Sequence, residues 1–486
     1  MTSWAFATVR ELQTALQTGA VTRPELLQQS LTRFAKYDGK LGAALELFDY
    51  QSILDGASLA AGSLLHSIPG LVKDNICQQG RNLTCASKIL QGFQATYDAT
   101  AVQRLKQAGA LIVGRANMDE FAMGSSNEYS AYKKVANPWD LTRVSGGSSG
   151  GSVAAVAAGL VPWALGSETG GSVRLPAAFC GVVGLKPTYG LISRYGLVAY
   201  ASSLDQIGIA TRTVYDNALV LSTIAGHDAH DASSLPMQKY DYTKQLGDLK
   251  LKPGLKIGVI TNALAAEGMQ PEIRAALEQA IQHYTKLGAT ISYVNLPTMD
   301  YAAAAYFIIS RAEAASNLAR FDGVRYGSRA SNATTLASLY AKSRAQGFGP
   351  DVKLRIMVGN YVLSAGHAGD FYHNARKVQS LIRQELLATF QTVDLLFAPM
   401  HAAPAFKFGA LDNNLEMDLL DYFTCFVNLA GIPALALPCG FTTEQLPIGF
   451  QLIGPDLSEA LLYQTAQVYE QTNDWWARRP ASFSTN

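Results

Sequence analysis

A chain of 486 residues carries 39 lysines and arginines against 38 aspartates and glutamates, a formal charge of +1. Such near neutrality excludes a global electrostatic pull on nucleic acid or anionic lipid, so any contact of that kind needs a local patch or another chain. Hydrophobic residues make up 48% of the sequence. No charge run or Pro/Ser-rich linker divides them, which favours one large core, or two intimate lobes, over the roughly three domains that length alone suggests.

The first 19 residues lack a basic start followed by an apolar run, so no signal peptide is expected. Thr22-Arg23-Pro24-Glu25 has the form of a capping box with proline in the first turn. Leu27, Leu31 and Phe34 follow at helical spacing, and Gly39 is expected to end the helix. From residue 68 onward, strands and helices alternate. Ile68–Val72 is a short apolar strand running into Lys73. Thr100–Ala108 is an amphipathic helix with Val102 and Leu105 inward, Gly109 closes it, and Ala110–Val113 is a buried strand. Ser152–Ala158 is a helix of small residues, and Trp163–Gly166 and Val182–Leu185 are strands. The pattern repeats with Lys256–Thr261, the helix Glu272–Leu287 and the strand Ala289–Leu296. It ends with strands Ala434–Leu437 and Gly449–Ile453 and a helix over Glu459–Gln471. This alternation predicts an α/β protein with a mixed, largely parallel central sheet flanked by helices. No stretch reaches the ~18 strongly apolar residues of a membrane span.

Five widely spaced cysteines, with no CxxC, argue against a disulfide scaffold or a structural zinc site and fit reduced thiols in a cytoplasmic protein. The seven histidines have no motif context. No G-x-S-x-G sits in a strand–elbow–helix setting, which disfavours a histidine-based hydrolase triad.

The informative segment runs from Ser145 to Pro187. A tract such as GGSSGGS is ordinarily a flexible linker. Here it joins a helix and a buried strand directly, and a second Gly-Gly-Ser follows. Neither G-x-x-x-x-G-K-[ST] nor G-x-G-x-x-G is present, so phosphate binding has little support. An active site is the third reading. Glycine-rich turns let backbone N–H groups converge as an oxyanion hole requires. Thr169-Gly170-Gly171-Ser172 follows a strand, so Ser172 is expected on a loop at a carboxyl edge, where open α/β sheets bind ligands. Without histidine, its base must be an amine that burial keeps neutral. Lys73, after Leu71-Val72, suits that role; an ordinary strand-end lysine is the alternative.

Val72-Lys73-Asp74-Asn75, Gly146-Gly147-Ser148-Ser149-Gly150-Gly151 and Gly170-Gly171-Ser172-Val173-Arg174-Leu175-Pro176 occur in the order found in the amidase signature family, which the chain resembles. The resemblance implies the amidase-signature fold and a single amidase domain over residues 1–486. It would have a helical segment to about 55 and a catalytic core over about 60–215, with the remainder completing sheet and pocket. It also implies Lys73 as catalytic base, Ser148 as bridging serine on a cis peptide bond, Ser172 as nucleophile and the backbone of Thr169, Gly170 and Gly171 as oxyanion hole. Ser149 is left a structural role.

Asn117–Ser126, Cys85–Leu90, Leu185–Gly190, Ser193–Val198, Ala201–Gly208 and Asn428–Pro433 narrow the resemblance to the A-subunit branch of the glutamyl-tRNA(Gln) amidotransferases. This branch implies glutamine hydrolysis, with Arg355 and Asp421 binding the amino acid; a structural salt bridge or a solvated pair is the alternative for them. The ammonia would pass to a kinase and tRNA-binding B subunit, beside a small C subunit. ATP and Mg²⁺ would act there on Glu-tRNA(Gln), or Asp-tRNA(Asn), with no cofactor or metal on this chain. A free-standing amidase for another small amide, and a silent scaffold subunit, are the rival readings. The segment departs from the branch's usual pattern at Ser145, Glu168 and Leu175, the last close enough to Ser172 to bear on the pocket.

Overall fold

The computed structural model describes residues 4–57, 63–411, 417 and 419–484. Residues 1–3, 58–62, 412–416, 418, 485 and 486 of the expected domain span lie outside them. Eleven strands form one sheet in the order β1 (Ala44–Leu47), β3 (Leu111–Ala116), β2 (Pro69–Lys73), β6 (Trp163–Glu168), β8 (Gln206–Thr211), β7 (Val183–Lys186), β12 (Ala434–Phe441), β13 (Pro447–Ile453), β11 (Leu395–Pro399), β9 (Lys256–Ile260) and β10 (Thr290–Val294). A separate small ribbon pairs β4 (Ala136–Asn137) with β5 (Asp140–Val144).

The α/β class and the mixed sheet are as expected, but the parallel share is smaller. Among the described residues, β3–β2, β2–β6, β11–β9 and β9–β10 run parallel, whereas every pair from β6 across to β11, and β1–β3 at the edge, runs antiparallel. Two connections explain this. β6 and β7 share a direction, as a helical crossover through Arg174–Cys180 dictates, but β8 returns from a helix-free loop and pairs between them in the opposite sense. β12 and β13 are joined by only Thr442–Leu446, too short for a crossover, so they form a hairpin.

The helix Arg23–Leu41, preceded by a shorter one over Val9–Gln17, begins with the expected capping box of Thr22 and Glu25 and buries Leu26, Leu27 and Phe34. It continues through Gly39, where the sequence predicts its end, and is capped by Gly42 in the left-handed region. A Cβ on Gly42 would lie 2.3 Å from the Lys134 carbonyl, so this position combines both demands that select glycine. Among the described residues, no helix is long and apolar enough to cross a membrane.

The sheet positions the chemistry by register. β2 and β6 lie side by side and parallel, with Leu71 opposite Ala164 and Val72 opposite Leu165. Their carboxyl ends, Lys73 and Glu168, therefore emerge on one edge. The helix Gly150–Ala157 packs on this part of the sheet through Ala and Val side chains, and its first turn carries the serine pair to the same edge.

Candidate active site

Lys73 ends β2 and is wholly buried. Its Nζ lies 2.8 Å from Ser148 Oγ, 2.8 Å from Ser149 Oγ and 3.1 Å from the Ser167 carbonyl oxygen. Burial pushes the amine down to about 7, while Asp119, Asp205 and Glu168 pull the other way. Three acceptors suit the three N–H bonds of an ammonium. A neutral amine has two N–H bonds and a lone pair, so one contact must reverse. The Ser167 carbonyl can only accept. Ser149 Oγ gives its single hydrogen to that carbonyl at 2.9 Å and accepts from Ser167 N at 3.2 Å. With the Ser149 hydrogen on that carbonyl, the hydroxyl left to donate to the lone pair is that of Ser148.

Ser148 is held by its backbone. The Gly147–Ser148 peptide bond is cis. The Ser148 carbonyl accepts from Asp119 N at 3.2 Å, and Gly147 N donates to the Ser125 carbonyl at 2.8 Å. Gly150 N donates to Asn127 Oδ1 at 2.8 Å.

Beyond β6, residues 169–173 form a buried turn leading into the helix Arg174–Cys180. Glu168 closes this turn. One carboxylate oxygen accepts from Val173 N at 2.9 Å and Arg174 N at 3.0 Å; the other accepts from Arg174 Nε at 2.8 Å and Nη2 at 2.6 Å. Burial alone would raise this carboxyl, but Arg174 outweighs it and the group lies below its ordinary value. Thr169 Oγ1 donates to Asp205 Oδ1 at 2.7 Å, and Thr424 Oγ1 donates to the Gly170 carbonyl. The Ser172 carbonyl accepts from Ser149 N at 3.0 Å, which ties the two serine segments together. Among the described residues, the amides of Thr169, Gly170, Gly171 and Ser172 make no hydrogen bond. Gly171 has φ +154°, and a Cβ there would lie 2.3 Å from Thr424 Oγ1. The turn is therefore a set of buried, open N–H donors beside a serine, which can stabilise a developing oxyanion.

Arg355 and Asp421 both act on Tyr306, whose ring abuts Gly170 of this turn. Arg355, on the helix Pro350–Leu363, donates from Nε to Asp351 at 2.8 Å and from Nη1 to the Tyr200 hydroxyl at 3.2 Å. Asp421 accepts from Ser125 Oγ at 3.2 Å, and its carbonyl accepts from Thr424 N at 3.0 Å. Tyr306 joins them. Burial raises its hydroxyl, with Tyr200 and Asp421 adding to the effect and Arg355 opposing it. A Cβ on Gly170 would lie 2.5 Å from the Tyr306 ring. One cation and one anion thus flank the turn that carries Ser172.

The Amidase family model matches residues 25–463. The chain belongs to the amidase family. It is 50% identical over 480 residues to the A subunit of the glutamyl-tRNA(Gln) amidotransferase of Synechococcus sp. (strain JA-2-3B'a(2-13)), covering 97% of this chain and 93% of that protein. The crystal structure of the corresponding A subunit from Thermotoga maritima superposes with a TM-score of 0.83 at 38% identity, covering 97% of this chain and 96% of that one. The peptide amidase of Stenotrophomonas maltophilia gives a TM-score of 0.81 at 32% identity, covering 99% of each chain.

For this amidase, the residues singled out by sequence, Lys73, Ser148, Ser172, the turn 169–171, Arg355 and Asp421, gather at one edge of the sheet. The sequence suggests no role for Asn75, whose Nδ2 donates to Ser167 Oγ at 2.8 Å, nor for Asp119, Asp205, Thr424, Tyr200 or Tyr306. Asp119 and Asp205 stand inside segments that carry the family resemblance, and that is the only signal they offer. The tyrosines and Thr424 come from distant parts of the chain and have none. Leu175 is fully buried in the main hydrophobic core. Among the described residues, no group of three or more His, Cys, Asp or Glu is arranged to hold a metal ion.

Proposed function

We propose that this chain is the glutaminase subunit of a tRNA-dependent amidotransferase, working as one amidase domain through a Ser172–Ser148–Lys73 relay. The observation that carries the chemistry is the buried Lys73 amine 2.8 Å from Ser148 Oγ, beside a turn of open amides that includes Ser172. Half-identity along nearly the whole chain to proteins named as amidotransferase A subunits supports the assignment of substrate and assembly.

Neutral Lys73 accepts the proton of Ser148 while Ser148 accepts that of Ser172. Ser172 Oγ attacks the side-chain carboxamide carbon of glutamine. The amides of Thr169, Gly170 and Gly171 take up the oxyanion. The tetrahedral intermediate collapses as the relay returns a proton to the departing nitrogen, releasing ammonia. Water then attacks the acyl-enzyme by the same path, releasing glutamate and restoring Ser172. Arg355 would receive the α-carboxylate and Asp421 the α-ammonium, the pair of opposite charges that an amino-acid zwitterion requires. ATP and Mg²⁺ act on a B subunit that binds the tRNA, next to a small C subunit, in the cytoplasm.

The test is glutamate release from glutamine, with and without co-purified partners. Turnover of glutamine that partners stimulate is the expected result. Equal or faster turnover of unrelated small amides by the lone chain would instead identify a free-standing amidase.

A further inference from the structure

Asp119 leads into the 3-10 turn after β3, belongs to neither serine-rich motif, and is fully buried. It reaches the relay by three routes. Its backbone N–H donates to the Ser148 carbonyl at 3.2 Å. Its carboxylate abuts the residue before Ser148: a Cβ on Gly147 would lie 2.1 Å from Asp119 Oδ2. The same oxygen accepts from Asn127 N at 2.9 Å, and Asn127 Oδ1 in turn accepts from Gly150 N at 2.8 Å, two residues past Ser148. The other oxygen accepts from Tyr129 N at 3.0 Å. Both carboxylate oxygens are thus committed to amides of the loop that backs the cis peptide. The groups facing Lys73 electrostatically are Asp119 first, then Asp205, Glu168 and Cys85. Of the carboxylates, Asp205 is engaged with Thr169 and the Tyr200–Ala201 amides, and Glu168 with Arg174. Asp119 has no cation bonded to it among the described residues. Burial raises its carboxyl to about 7, with the Tyr129 and Asn127 amides and Lys73 pulling it down.

We propose that Asp119 is a positioning residue for the reaction: its backbone N–H and both carboxylate oxygens hold the loop around the cis peptide, so that Ser148 is fixed from both sides. Without those acceptors the loop loses the bonds to Asn127 N and Tyr129 N, and Ser148 loses the geometry from which it passes a proton to Lys73. This inference rests on the relay reading of Ser172, Ser148 and Lys73.

The experiment uses phenylmethanesulfonyl fluoride on the full chain with whatever partners co-purify. Sulfonylation forms a bond from the serine oxygen to sulfur, expels fluoride and hands the serine proton to the relay. Its rate is read by intact mass across pH values on both sides of neutrality. Asp119→Asn should slow labelling on the order of ten-fold or more at every pH tested, as disturbed proton transfer does, and should lower kcat for glutamine with KM nearly unchanged. Asn127→Ala, which cuts one arm, should slow labelling in the same way. A full labelling rate in folded Asp119→Asn, or a loss confined to KM, overturns the proposal. If Asp119→Asn does not fold, Asn127→Ala decides: slow labelling supports the proposal and a full rate overturns it. Labelling of Ser172→Ala at the wild-type rate is a separate failure, which removes the relay reading and the inference with it.

Discussion

Ser148 and Ser149 each touch Lys73 at the same distance, 2.8 Å. Their mutants should nevertheless differ. Ser148→Ala removes the hydroxyl that can donate to the neutral amine, so glutamine hydrolysis should fall by about 10² to 10⁴, the usual weight of a lost proton-transfer group. Ser149→Ala leaves that donor and removes an acceptor that also bonds Ser167 N; initial-rate assays should find it much closer to wild type. Equal losses would mean that the hydrogen-bond argument picks the wrong serine. Lys73→Arg should be inactive, because a guanidinium stays charged and cannot accept a proton. In the wild type the rate should rise as pH climbs through about 7, where the buried amine loses its proton, and stopped assays on either side of that point will check it. The motifs that hold the proposed relay residues are legible in the sequence because they are short and local. Their roles come only from the family resemblance, since residue chemistry alone does not tell Ser148 from Ser149.

At the scale of elements, the helix Pro350–Leu363 carries Arg355, and the residue that caps it is held from across the chain. Gly349 N donates to Glu120 at 2.9 and 3.2 Å, and Ser87 Oγ also bonds this carboxylate. Glu120→Ala removes the acceptor of Gly349 N. The helix should then shift, and KM for glutamine should rise on the order of ten-fold, equivalent to about 1.4 kcal/mol, with kcat nearly unchanged. Steady-state kinetics checks the split; a loss confined to kcat would place Glu120 with the relay instead. Glu168 acts on the nucleophile turn in a comparable way, but as half of a fully buried ion pair. Glu168→Gln should destabilise the fold by about 3–5 kcal/mol, the cost of stranding a buried partner charge, measured by denaturant unfolding. These couplings explain the limits of reading elements from sequence. Short apolar strands bounded by glycines, such as β2 and β6, announce themselves by their composition. The helix Ala302–Asn317, which carries Tyr306, is largely buried, has little amphipathic contrast and leaves no periodic signature. The insertion of β8 between β6 and β7 is a long-range pairing with no local mark.

For the whole molecule, the sequence contains no nucleotide loop, and the relay needs no metal for base or electrophile. Glutamine hydrolysis should therefore survive dialysis against a chelator, whereas transfer to tRNA by the assembly should stop and recover with Mg²⁺. Several large apolar side chains lie open, among them Met357 at 69% and Tyr361 at 55% on the helix Pro350–Leu363. Affinity purification should recover two further chains in fixed ratio, and a solitary, fully active monomer would contradict the proposed assembly.

The buried lysine also makes the act of folding a proton exchange with solvent. An unfolded Lys73 holds its proton up to about 10.5, but the native one releases it near 7. Between those values the native state binds fewer protons, so the lysine penalises the fold at low pH and progressively ceases to as pH rises. Relative to Lys73→Met, the wild type should release about one additional proton on folding in this window, visible as a buffer-dependent difference in calorimetric unfolding enthalpy. The stability gap between the two should narrow toward alkaline pH. Catalytic competence is in this sense written into the titration curve of the entire chain.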